Sequence, residues 1–170
     1  WLCVVDDKTD KTWVHFAPSK NKMIEFVTDL VTTINGLGLK VKYIRCDNAG
    51  EHQQELQSYC KKTGIILEYT APHTPKQNGR VEKKIHVIWQ RAMTIMTNAN
   101  LTLDAQKEFW AEAVAYSAFT EDLMIKAGRT VPALFAWTES SVNKWIKHLI
   151  EFGRMGVVNK PGKQAKMQDK

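Results

Sequence analysis

Cysteines are scarce in this chain and none of them pairs by spacing. Cys3, Cys46 and Cys60 are the only three in 170 residues. An odd, sparse set argues against a disulfide framework and reads as buried thiols in a reducing, intracellular compartment. No Cys-x-x-Cys and no His-x-x-x-His occurs, which removes the common zinc signatures. No apolar run approaches the roughly 20 residues of a membrane-crossing helix, so no membrane partner is expected. A Met start and a signal-peptide layout are both missing: Trp1-Leu2-Cys3-Val4-Val5 already reads as the inside of a strand. The expectation is an internal piece of a longer protein.

The remaining composition is that of a globular chain. Hydrophobic residues make up 44% and charged residues 25%, enough for one well-buried domain but not two comfortable ones. Lys and Arg outnumber Asp and Glu by 24 to 18, a net charge of +6, which suits a polyanionic partner without proving one.

Apolar periodicity orders the elements. Residues 1–7 and 12–17 read as two strands joined by the polar turn Asp6-Asp7-Lys8-Thr9-Asp10-Lys11. Over 21–34, Met23, Phe26, Val27, Leu30, Val31 and Ile34 recur at helical spacing, and Gly36 and Gly38 close the helix. Residues 39–46 read as a strand, stopped by the turn composition Asp47-Asn48-Ala49-Gly50. A helix over 51–62 and a short strand over 65–69 follow. Pro72, Pro75 and Gly79 make 70–79 a loop. From Asn78 onward Val81, Ile85, Ile88, Ala92, Ile95 and Met96 form an apolar stripe. Glu82, His86, Trp89 and Met93 form its neighbour, so Glu82 is expected in the first turn, at the edge of the buried face. A further helix over about 103–126 turns Phe109, Trp110, Ala113 and Val114 inward, with Ser117 and Ala118 one turn on. Short helical or packing segments fall at 132–137 and 145–152, and the basic end is expected to fray. This divides the chain into a core over 1–100, a helical extension over 101–155 and a basic tail over 156–170. The element order describes a mixed sheet covered by helices.

Two carboxylates stand out in that order. Asp47 follows a parallel-type strand, where sites in open α/β sheets lie, and Glu82 comes 34 residues later. Phosphodiester transfer needs charge neutralised on a pentavalent phosphate and an activated hydroxyl or water, which two Mg²⁺ ions roughly 3.5–4 Å apart supply. Mg²⁺ takes carboxylates, waters and substrate oxygens. The plainer alternatives stay open. An Asp after a strand can cap the next helix, and a Glu in a first turn meets the helix dipole. Lys76, Arg80, Lys83, Lys84 and Arg91 surround Glu82, the one acid between 76 and 91. That pattern suits a phosphate backbone, or else a solvated basic helix face.

Longer motifs sharpen the reading. Asp47-Asn48-Ala49-Gly50-Glu51, Tyr59-Cys60-Lys61-Lys62-Thr63-Gly64-Ile65 and the run from Thr70 through Thr74-Pro75-Lys76-Gln77-Asn78-Gly79-Arg80-Val81-Glu82 to Lys84 resemble the integrase core of copia-type LTR retrotransposons. That family reads DNGGE, FC-x-x-x-GI and T-x-P-x-TPQQNGVAERKN. Phe109-Trp110-Ala111-Glu112-Ala113, Pro132-Ala133-Leu134-Phe135-Ala136-Trp137 and Leu149-Ile150-Glu151-Phe152-Gly153 resemble its later segments, so the likeness covers nearly the whole chain.

The resemblance implies a ribonuclease-H-like three-layer α/β/α fold with a mixed sheet of the five-stranded type, and a DDE acidic triad with Mg²⁺ or Mn²⁺. The reactions would be 3′-end processing of element DNA and strand transfer into target DNA. Asp47 and Glu82 take the places of the second and third acids, both catalytic and metal-binding. His73, Lys76, Asn78, Arg80, Lys83, Lys84 and His86 fall on the DNA-facing side. DNA partners, a homo-oligomer, and a nuclear site of action after a cytoplasmic particle are implied with it.

Departures from the pattern qualify this. The family's first acid lies on a strand ahead of the one that opens this chain, so the first strand and its Asp are expected to be missing. Asp6 and Asp7 read as turn residues, not substitutes. Ala49 replaces a Gly, costing about 1 kcal/mol if that position needs a positive φ. Ile85 stands where relatives carry Asn, and the acid spacing is one residue shorter than usual. A second reading is therefore a non-catalytic nucleic-acid-binding remnant or domesticated module. Another ribonuclease-H-like nuclease or DDE transposase, and a basic scaffold with no nucleic-acid role, are weaker competitors.

Overall fold

The computed structural model describes residues 1–47, 53–70, 75–154 and 156, with the side chains of 20, 21, 53 and 75–78 excepted. Two strands open the chain. β1 (Leu2–Val5) and β2 (Thr12–His15) pair antiparallel, Leu2 opposite His15 and Val5 opposite Thr12. The predicted polar turn joins them. Asp6 accepts from the Thr9 N–H and hydroxyl, both at 2.7 Å, and Asp10 turns the chain with φ 67°. Asp is among the few residues that visit this left-handed region readily.

Helix α1 (Lys20–Gly36) follows, then β3 (Tyr43–Cys46), α2 (Gln53–Thr63) and β4 (Ile66–Tyr69). β3 and β4 pair parallel, Tyr43 opposite Ile66 and Cys46 opposite Tyr69, with α2 as the crossover. At the end of α2, Gly64 adopts φ +71°, where a side chain would be strained. The long helix α3 (Pro75–Asn98) then packs on α4 (Leu103–Leu123), and short helices α5 (Ala133–Thr138) and α6 (Asn143–Ile146) close the described chain. The Thr102 hydroxyl caps α4 by accepting from the Ala105 N–H at 3.3 Å. Among the described residues no helix is long and apolar enough to cross a membrane.

Two apolar clusters hold these elements. One joins Cys3 of β1 to Ile88, Ala92 and Met96 of α3 and to Ala113, Val114 and Ala118 of α4. Its small residues let α3 and α4 approach closely, and it draws on both sides of residue 100. The other gathers Val31, Cys60 and Ile65, with Ile44 and Leu67 of the parallel pair against them.

Three expectations need correction. The described strands form two separate two-stranded sheets, not one mixed sheet. β1 and β3 each spend their ladder bonds on one neighbour only. α3 starts at Pro75, not near Asn78, because proline is favourable in a first turn, where its missing N–H has no partner to lose. Glu82 therefore sits in the third turn, and no acid lies in the first. Finally, Ile85 and Phe109, placed on buried stripes by periodicity, are exposed. The helix contact is carried instead by the narrower line Ile88, Ala92, Met96 facing Ala113, Val114 and Ser117.

Candidate active site

Asp47 is the first residue after β3 and is exposed. Its place follows from the parallel pairing. The Thr70 N–H donates to the Cys46 carbonyl at 3.0 Å, so the chain leaves β4 beside Asp47 before entering α3 at Pro75. Asp47 thus lies at the carboxyl ends of parallel strands, where ligands of open α/β sheets bind. The neighbouring Cys46 thiol is pushed up by burial and further by the Asp47 charge, and burial drives Cys3 to about 11. Neither is poised as a thiolate nucleophile.

On α3 the predicted residues divide by face. Glu82, Lys83 and His86 are exposed, and among the described residues none of their side chains forms a hydrogen bond or ion pair. Arg80 and Lys84 lie four residues apart on the opposite face. The Lys84 ammonium is buried and donates to Asp10 at 2.6 Å. Arg80 reaches the same carboxylate at 3.2 Å and the Asp7 carbonyl at 2.6 Å. The structure therefore pairs Lys84 inside the molecule, a correction to its expected exposure on the DNA-facing side. His73 lies outside the described residues, as do the side chains of Lys76 and Asn78 and the position of Ala49.

Sequence reasoning missed an ionic knot behind this helix. Asp10 also accepts from Lys126, and Glu121 lies 2.8 Å from Arg91 and 3.1 Å from Lys126. Burial alone would raise the Asp10 carboxyl, but the hydrogen bonds and charges of Lys126 and Lys84 outweigh it and hold the group at about 2. Next to the knot, the buried Asp122 accepts from Lys11 at 2.8 Å and from the Thr12 N–H at 3.2 Å. Burial pushes this carboxyl up, and Lys11 pulls it back only in part. The partners stand up to 116 residues apart, so no local spacing announces them.

The donor set can be tested against a divalent ion. Two exposed carboxylates are the hard oxygen donors that Mg²⁺ takes alongside waters and substrate oxygens. Among the described residues no group of three acids, histidines or cysteines is gathered to hold a metal. Asp6 is occupied in its own turn, and Arg80 pairs with Asp7. Asp47 and Glu82 are donors of the type such an ion takes, and among the described residues no third acid is gathered with them.

The comparisons decide the fold. No protein-family model matches the chain. It is similar to the retrovirus-related Pol polyprotein from transposon RE1 of Arabidopsis thaliana, 28% identical over 120 residues. That stretch is 70% of this chain and 8% of the polyprotein, so the chain spans under a tenth of that relative. In three dimensions, the BIV integrase catalytic core domain superposes with a TM-score of 0.58 at 15% identity, over 84% of this chain and 88% of that one. The chain has the fold of an integrase catalytic core. A chain of the simian T-cell lymphotropic virus intasome, solved in complex with PP2A regulatory subunit B56 gamma, has the same TM-score at 19% identity. It covers 96% of this chain and 53% of its own length.

Proposed function

We propose that the chain is the catalytic-core portion of a copia-type retrotransposon integrase, a polynucleotidyl transferase that processes element DNA ends and joins them to target DNA. One observation carries the reading: within an integrase-core fold, Asp47 stands exposed at the end of a parallel strand and Glu82 stands exposed on the long helix that follows. The similarity to a transposon Pol polyprotein supports it.

In this reading Asp47 and Glu82 hold Mg²⁺ or Mn²⁺, which when bound neutralises phosphate charge and lowers the pKa of an attacking hydroxyl. The protein's own part is positional. The strand end fixes Asp47, and α3 presents Glu82 beside Lys83 and His86, which bind the phosphate backbone. His73 ahead of the helix and Lys76 and Asn78 in its first turn extend that contact, while Arg80 is paired to the hairpin on the opposite face. DNA partners, self-association and a nuclear site of action belong to the same proposal.

The test is Mn²⁺-dependent disintegration of a branched DNA by this chain, alongside Asp47→Ala and Glu82→Ala. Activity abolished in both variants is the expected outcome. Activity that survives in either variant removes that residue from the site. A second reading, a nucleic-acid-binding remnant without catalysis, is favoured by the missing third acid among the described residues. It predicts salt-sensitive DNA binding with no disintegration by any of the three proteins.

A further inference from the structure

We propose that Asp10 is a positioning residue: from the β1–β2 turn it grips the rear of α3 and fixes the rotation at which Glu82 is presented. The proposal rests on the integrase reading for the role of Glu82, and on the structure for the grip.

Arg80 and Lys84 flank Glu82 by two residues on either side. At 100° per residue they fall about 40° apart on one face, and Glu82 points roughly 160° away from both. Asp10 binds both members of that rear pair. Its Oδ2 accepts from Lys84 Nζ at 2.6 Å, and its Oδ1 accepts from Arg80 Nε and Nη2 at 3.3 and 3.2 Å. Two attachment points one helical turn apart resist roll about the helix axis, and Arg80 adds a further link to the hairpin through the Asp7 carbonyl at 2.6 Å.

The other end of the grip is also fixed. Asp10 donates its N–H to the Asp6 carbonyl at 2.9 Å, and the Asp6 N–H donates to the Lys11 carbonyl at 2.9 Å. The residue sits at φ 67°, one of three non-glycine positive φ values among the described residues. Lys126 braces the carboxylate from beyond α4. The helix that carries the candidate third acid is thereby keyed to a hairpin 70 and more residues upstream.

Amide hydrogen exchange of the metal-free chain tests the grip. In Asp10→Asn, exchange of residues 79–86 should speed at least ten-fold relative to the later turns of α3. Lys126→Met is the comparison, since it removes a partner of Asp10 but leaves Arg80 and Lys84 attached. It should lower the melting temperature without singling out 79–86. Should Asp10→Asn fail to fold, Lys84→Met removes the Lys84 half of the tie from the helix side and should loosen 79–86 in the same sense. Uniform loosening in Asp10→Asn, or an equal local effect in Lys126→Met, overturns the proposal.

Mn²⁺ broadening of amide resonances then separates the two layers. In the unsubstituted chain the ion should broaden the amides of Asp47 and Glu82. In Asp10→Asn the Glu82 signal should need about ten-fold more Mn²⁺ while Asp47 responds as before, and an unchanged Glu82 response overturns the positioning role. No broadening at either residue in the unsubstituted chain counts against the metal-site reading, and the exchange result then decides the grip by itself.

Discussion

Asp10 carries a consequence for stability as well as for geometry. Its carboxyl is held at about 2 in the folded chain, against 3.8 when unperturbed. A depressed carboxyl stabilises the fold above its unfolded pKa and loses that contribution as pH falls through the folded value. The shift corresponds to about 2 kcal/mol, expressed above roughly pH 4 and lost as pH falls through about 2. Urea unfolding of the parent between pH 5 and pH 2 should show this loss, and Asp10→Asn should flatten the same interval. Asp122 acts with the opposite sign. Its raised carboxyl binds a proton more readily in the folded chain, so it penalises the fold at neutral pH and is relieved on acidification. At this scale the motif setting singled out Asp47 and Glu82 as candidates, but not Asp10, which reads as one acid among several in a turn.

Among the elements, α3 departs most from its sequence reading. Pro72, Pro75 and Gly79 together look like a loop, because each is a breaker in isolation. In the fold, Pro75 opens the helix and Gly79 sits inside it without a positive φ. A Cβ at Gly79 meets none of the described atoms within 4 Å. Gly79→Ala should therefore stabilise the chain by about 0.5–1 kcal/mol, through helix propensity and a less flexible unfolded chain. Chemical denaturation checks this, and a destabilisation would mean the turn needs glycine for another reason. α4 was easier to read, since Ala113, Val114, Ser117 and Ala118 recur at helical spacing and all are buried. Phe109 was placed with them but is exposed, while its neighbour Trp110 packs on the core and against Trp89 of α3.

For the whole molecule, the net charge of +6 predicts salt-dependent binding to DNA. Lys83 is the cation exposed beside Glu82, while Lys84 is consumed internally. Lys83→Ala should weaken DNA binding uniformly across sequences and reduce the slope of log K against log salt by about one. Lys84→Met should leave that slope nearly unchanged. Fluorescence anisotropy over a salt series distinguishes the two lysines, and equal slopes in both variants would contradict the division of faces on α3.

The sequence by itself determined the order of strands and helices, the parallel pair that ends at Asp47, and the likeness to an integrase core. These depend on local periodicity, turn chemistry and contiguous motifs, all of which are written along the chain. Only the tertiary structure decided which cations face outward and which are buried, how deep in α3 Glu82 lies, and that the strands form two small sheets. Those outcomes depend on which distant groups meet. Asp10, Lys84 and Lys126 come together across 74 and 116 residues because burying any one of these charges alone would be costly. Charge compensation of that kind leaves no periodic trace in the sequence.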